Sequence, residues 1–152
     1  MPQVIGHFIG EWEFLSNFYS SEIDYEGRKY PTVEHAFQAA KTLNETTRAL
    51  IASAETPRKA KRMGREVELR EDWDFIRQRI MLSLLFKKFV KNSELKEKLL
   101  STGEAYLIEG NTWHDNYWGS CDCDKCSWNE PQHNILGILL MAVRTLILNA
   151  NQ

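Results

Sequence analysis

The sequence predicts an α+β fold, a helix-dominated single domain over residues 1–152 with a small β-hairpin or sheet near the N-terminus. Three observations lead there. Segments with helical apolar spacing and capping signals follow one another from Thr32 almost to the end of the chain. One short β-prone stretch, Ile23 to Tyr30, breaks at Glu26-Gly27 in the manner of a tight hairpin. A chain of 152 residues, 43% hydrophobic and 26% charged, is long enough for one proper core, and no repeat, low-complexity tract or linker interrupts it.

Each element has its own warrant. Thr32 is a suitable N-cap, and Val33 to Lys41 favours helix. Val33, Phe37 and Ala40 form its natural core stripe, with Glu34, Gln38 and Lys41 on a second stripe at i, i+4 and i+7. Thr56-Pro57 reads as a capped start with proline at the first helical position. From Asp74 to about Val90, Ile76, Ile80 and Leu84 share a face, with Met81, Leu85 and Phe89 beside them, which marks a long packed helix. Ser93 to Leu100 predicts a shorter helix, and Ala105 to Glu109 a strand. Residues 111–133 have almost no periodicity. Ile135 to Leu148 is apolar nearly all round, so this helix is expected at the buried centre of the fold.

Composition narrows the function. A net charge of −2 argues against a general nucleic-acid coat, so any phosphate contact must be a local patch. No apolar run approaches the ~20 residues of a membrane span, and the N-terminus has no signal-peptide pattern. The three cysteines, crowded between positions 121 and 126, do not resemble an extracellular disulfide framework. A cytoplasmic protein with no membrane partner is expected. There is no G-x-G-x-x-G, P-loop, H-E-x-x-H or G-x-S-x-G motif, and nothing arranges a hydrolytic triad.

Four constellations remain. The Glu34/Gln38/Lys41 stripe aligns an acid, an amide and an amine, a set suited to an electrophilic carbon; a solvated helix face is the plain alternative. Arg58, Lys61, Arg62 and Arg65 give a cationic face that can hold a phosphate or diphosphate, or simply face water, and Gly64 suggests a turn that could aim Arg65 inward. In Asn111 to Gly119, Trp118 beside Gly119 could leave a flat ring open for stacking, and Asp115 is either an acid–base group or a turn residue. Finally, the cluster of Cys121, Cys123 and Cys126 begins seven residues after His114 and ends seven before His133. Three thiolates and an imidazole could make a tetrahedral zinc site. The C-x-C-x-x-C spacing is tight and lacks a second knuckle, so no resident metal or cofactor is expected, and Cys121, Cys123, Cys126 and His133 stand as the alternative.

These pieces occur in a recognisable order. Phe14-Leu15-Ser16-Asn17-Phe18, Tyr30-Pro31-Thr32-Val33-Glu34-His35, Phe37-Gln38-Ala39-Ala40-Lys41 and Met63-Gly64-Arg65 come first. Arg70-Glu71-Asp72-Trp73, Tyr117-Trp118-Gly119 and Asn134-Ile135-Leu136-Gly137 complete the set. It closely resembles the NADAR family, also called YbiA-like, from about Gly10 to Leu148. Tyr30 and Val33 replace the usual Trp and Ser of the Trp-Pro-Thr-Ser-Glu-His motif, and Cys121 to Gln132 is the least family-like stretch. The resemblance implies an N-glycosidase that cleaves the bond between ribose C1′ and nitrogen. It implies two substrate types, ribosylamino-pyrimidine phosphates of riboflavin synthesis and ADP-ribose on the amino group of guanine in DNA or RNA. In both, the sugar hangs from an exocyclic amine.

That shared feature assigns the candidates. Lys41 is expected as nucleophile through a Schiff base with the ring-opened sugar, with Glu34 or Asp115 handling protons. Asn17, Gln38, Arg65, Trp118, Gly119 and Asn134 are expected to bind substrate, although Asn134 could equally cap the last helix. Direct hydrolysis through an oxocarbenium-like state is the competing mechanism, in which Lys41 only binds. Outside catalysis, the same groups suit a non-catalytic module that binds ADP-ribose or a nucleotide. A small zinc-binding interaction domain centred on the cysteines is a third possibility. The oligomeric state is open.

Overall fold

The computed structural model describes residues 3–126 and 131–152. In chain order the elements are β1 (Val4–Ile5), a 3-10 helix (Gly10–Leu15), β2 (Ile23–Tyr25), β3 (Arg28–Tyr30) and α1 (Val33–Ala40). Next come α2 (Glu45–Ala52), α3 (Pro57–Gly64), α4 (Trp73–Lys91), α5 (Ser93–Ser101), β4 (Tyr106–Leu107), β5 (Gly110–Asn111), β6 (Ser120–Cys121) and α6 (Ile135–Ala150). The fold is α+β and helix-dominated, as its sequence predicts. The chain forms two compact units, Asn17–Lys88 and the two terminal stretches Met1–Ser16 and Phe89–Gln152.

In the first of these units, β2 and β3 pair as the expected hairpin, Ile23 opposite Tyr30, turning through left-handed Glu26 and Gly27. Arg48 of α2, only 3% exposed, donates to Glu26 at the hairpin tip and to the Thr42 carbonyl, and so ties turn to helix. Helix α1 packs on α2, α3 and the hairpin. The solvated-face alternative for α1 is overturned: every residue from Val33 to Ala40 is buried, Glu34, His35 and Gln38 included. A helix with neighbours on several sides has no solvent face for its polar stripe. His35 is satisfied on both ring nitrogens, 2.8 Å from Thr32 Oγ1 and 3.0 Å from the Ala54 carbonyl. The carbonyl can only accept, which places the proton on Nε2.

The remainder of the chain is built on two short parallel pairs, β1 with β4 and β5 with β6. The expected strand over 105–109 shrinks to Tyr106 and Leu107. Helix α6 packs against β4 and α5 and buries Leu136, Gly137, Leu140, Val143 and Ile147. It is not the all-round buried centre predicted, since Ile138, Leu146 and Leu148 remain about half exposed. Along α4, Ile76 and Ile80 are only half-buried, whereas Met81, Leu84, Leu85 and Phe89 are buried as their spacing predicts. No helix among the described residues is long and apolar enough to cross a membrane.

Candidate active site

The site begins at the cap of α1. Thr32 Oγ1 accepts the His35 amide at 3.1 Å, which starts the helix where its sequence says it should. The Asn17 carbonyl accepts the Glu34 amide at 3.1 Å, so the loop before the hairpin is pinned to the first turn. One turn on, Gln38 Nε2 donates to Glu34 Oε1 at 2.8 Å. This charge-assisted contact fixes which way the buried amide faces. Among the described residues, Gln38 Oε1 and Asn17 Oδ1 have no hydrogen-bond partner, although both residues are over nine-tenths buried. Orphaned acceptors at such depth carry a desolvation cost unless a ligand donates to them.

Lys41 closes α1, half-buried, its carbonyl accepting the Arg70 amide at 2.8 Å. Burial lowers its pKa below the ordinary lysine value. The Glu34 carboxylate opposes that shift, while Lys61 and Arg65 of the neighbouring α3 segment reinforce it. Acid, amide, amine and two cations are thus held together by α1 and α3. The two helices can approach because position 64 is glycine: a Cβ there would collide with Gln38 Oε1. Arg58, Arg62 and Arg65 are exposed and Lys61 is half-buried, so the cationic face of α3 reaches solvent and the turn after Gly64 does not bury Arg65. A shallow groove lined by Thr42, Leu43, Asn44 and residues 68–72 contains none of the predicted site residues.

The residues predicted from the C-terminal part serve mainly as scaffold in this structure. Asp115 Oδ1 accepts the amides of Tyr117 and Trp118 at 3.2 and 3.0 Å, and its own backbone is bracketed by the Asn111 side chain. It therefore fills the turn role that competed with acid–base work. Trp118 is half-buried, its ring edge-on to Tyr117 with centroids 4.9 Å apart. Gly119 is buried, and a Cβ on it would collide with the Glu109 carbonyl, so it allows the close approach of β6 to β5. Asn134 does not cap α6 with its side chain. In a left-handed conformation, φ 49°, it accepts the Glu109 amide at 2.9 Å and donates to the Leu107 carbonyl at 2.9 Å. Both ends of its side-chain amide are thus spent on the backbone of Leu107 and Glu109.

The cysteine loop departs from its expected partner. The three sulfurs gather with His114, not His133: the ligand atoms of His114, Cys121, Cys123 and Cys126 all lie within 4.8 Å of one another. His133 instead has its ring 6.3 Å from that of Tyr117. Residues 127–130, inside the stretch least like the family, lie outside the described residues.

The family model for the NADAR domain matches residues 7–148. The chain belongs to the NADAR family. It is 39% identical over 132 residues to the N-glycosidase YbiA of Escherichia coli, covering 86% of this chain and 78% of that protein. It is 37% identical over 140 residues to an N-glycosidase of Nostoc punctiforme, covering 89% and 85% of the two chains. A riboflavin biosynthesis protein of Vibrio vulnificus is 34% identical over 133 residues, which are 86% of this chain but 34% of that one. The solution NMR structure of Escherichia coli YbiA superposes with a TM-score of 0.82 at 34% identity, covering 99% of this chain and 89% of that one. In this NADAR chain, the contribution of Lys61 to the charge beside Lys41 was visible in sequence only as one member of a cationic face. His114 was visible as a spacing equal to that of His133, which spacing alone could not separate.

Proposed function

We propose that this NADAR protein is an N-glycosidase that releases a ribosyl group from an exocyclic amine, with Lys41 as the covalent nucleophile. The observation that carries this reading is the lowered pKa of Lys41 beside the buried Glu34–Gln38 pair. A neutral amine can attack an imine carbon, whereas an ammonium cannot. In an N-ribosylamine the sugar ring opens when the nitrogen lone pair forms an imine at C1′ and the ring oxygen takes a proton. Lys41 Nζ then adds to C1′, the aromatic amine leaves with a proton, and the sugar remains as a Schiff base. Water adds to that imine and frees the sugar and the amine of Lys41. Glu34 is the proton carrier supported best, since its charge acts directly on Lys41, whereas Asp115 spends one carboxylate oxygen on two backbone amides.

The orphaned Asn17 Oδ1 and Gln38 Oε1 suit donors on a sugar or a base edge. Arg65, with Lys61, suits a phosphate or diphosphate tail. Both substrate types of the family, a ribosylamino-pyrimidine phosphate and an ADP-ribosyl-guanine on DNA or RNA, meet these demands. The deciding experiment incubates purified protein with each in parallel and measures release of the free amine. Turnover of either supports glycosidase action and names the substrate. Saturable binding of both without any release would make the protein an ADP-ribose or nucleotide-binding module instead.

A further inference from the structure

We propose that His114, Cys121, Cys123 and Cys126 form a structural zinc site that pins the loop carrying Asp115, Tyr117 and Trp118. A tetrahedral zinc ion with bonds of ~2.3 Å to sulfur and ~2.0 Å to nitrogen needs neighbouring ligand atoms about 3.5–3.8 Å apart. Here His114 Nδ1 stands 3.1 Å from Cys126 Sγ and 3.4 Å from Cys123 Sγ, and all four ligand atoms lie within 4.8 Å.

The surroundings are built for it. Cys123 and Cys126 close a C-x-x-C turn, the Cys126 amide donating to the Cys123 carbonyl at 3.1 Å. Gln132 spans two ligand residues with one side chain, accepting from the Cys121 amide at 2.7 Å and donating to the Cys126 carbonyl at 3.3 Å. His114 has φ 68°, a conformation that costs a non-glycine residue energy. That cost is understandable if the turn serves to aim the imidazole at three sulfurs.

Competing uses of the cluster explain less. A disulfide would join two of the sulfurs and leave both the third thiol and the imidazole without a purpose. A nucleophilic thiol–imidazole pair needs one sulfur, and two of these cysteines are buried. A soft set of three sulfurs and one nitrogen favours zinc over magnesium or calcium, and four protein ligands leave no open position for water. The site is therefore structural. Binding would release up to three thiol protons, one from each cysteine that ligates as thiolate. It is independent of the Lys41 chemistry, and its failure leaves that reading intact.

The test uses the full chain, purified without chelator and with any affinity tag removed. Elemental analysis should give about one zinc per chain. Replacement by cobalt should give sulfur-to-cobalt charge-transfer absorption and the intense d–d bands of a tetrahedral site. Cys123→Ser and His114→Ala should each lower zinc affinity at least about tenfold, while His133→Ala retains the metal. Should the variants fail to fold, the metal content and cobalt spectrum of the parent still decide. Zinc far below one per chain, with three thiols titrating freely in the native protein and no cobalt–thiolate band, overturns the site. So does a disulfide seen as a two-dalton mass loss. Metal lost in His133→Ala but kept in His114→Ala overturns the ligand assignment.

Discussion

Lys41 sits where the carbonyl end of α1 favours positive charge, and Glu34 favours it further. Burial and the cations Lys61 and Arg65 outweigh Glu34, since the net shift is downward. If Lys41 acts as a neutral amine, the rate should rise with pH through this lowered pKa. Arg65→Gln removes a like charge and should move that limb to higher pH. It should also raise KM for phosphate-bearing substrates by roughly 10- to 100-fold, the equivalent of losing one charge-assisted contact. A pH–rate profile of parent and variant checks both effects together, and an unmoved limb would count against Lys41 as the titrating group. The covalent step makes a stricter demand. Borohydride added during turnover should trap the sugar, without its base, on the peptide that contains Lys41. Lys41→Arg keeps the charge but cannot form the imine, so it should be nearly as inactive as Lys41→Ala. Substantial activity in Lys41→Arg, with no adduct in the parent, would return the mechanism to direct hydrolysis with Glu34 as the stabilising carboxylate.

Among the elements, the site depends on how closely α3 approaches α1. Gly64 is in an ordinary helical position, so what it supplies is room: its missing Cβ would occupy the place of Gln38 Oε1. Gly64→Ala should therefore displace the Gln38 amide from Glu34 or push the helices apart. The expected stability cost is ~1–3 kcal/mol, the usual range for overpacking. Activity should fall by more than the lost stability explains, at least about tenfold, if the group displaced orients Glu34 as the proposed proton carrier. Urea denaturation read beside kcat separates the two losses. A variant that loses stability but keeps full turnover would show that the Gln38–Glu34 contact only supports the fold.

For the whole molecule, charge limits how a nucleic acid could be held. The net charge is −2, and the cationic side chains that the sequence groups on one helix face are Arg58, Lys61, Arg62 and Arg65. Counterion release lowers the logarithm of affinity by about 0.7–0.9 per phosphate contact for each decade of salt. A DNA- or RNA-borne substrate gripped by this face should thus show a log–log salt slope of no more than about 3–4. A small phosphorylated ribosylamine should show a shallower one. Measuring KM for both between low and physiological salt checks this, and a much steeper slope for the nucleic acid would mean that other cations take part.

Elements whose signals are local could be read from the residues alone. Thr32 and Thr56-Pro57 mark helix starts that backbone amides must respect, and Glu26-Gly27 marks a turn that needs left-handed residues. The grouping of Glu34, Gln38 and Lys41 was legible in the same way, because helical spacing sets them in one row whatever surrounds them. Long-range packing settled what spacing cannot carry. Two-residue strands such as β1 and β4 have no period to read, and they pair across about a hundred residues of chain. Whether α1 is amphipathic or buried, and whether α6 is central or half exposed, depends on which neighbours pack against them. Asp115, Gly119 and Asn134 read the same in sequence whether they serve a site or a scaffold, and only the structure shows their hydrogen bonds and close approaches. His114 and His133 stand at equal distances in sequence from the cysteine cluster, and only the path of the loop brings one of them to the sulfurs.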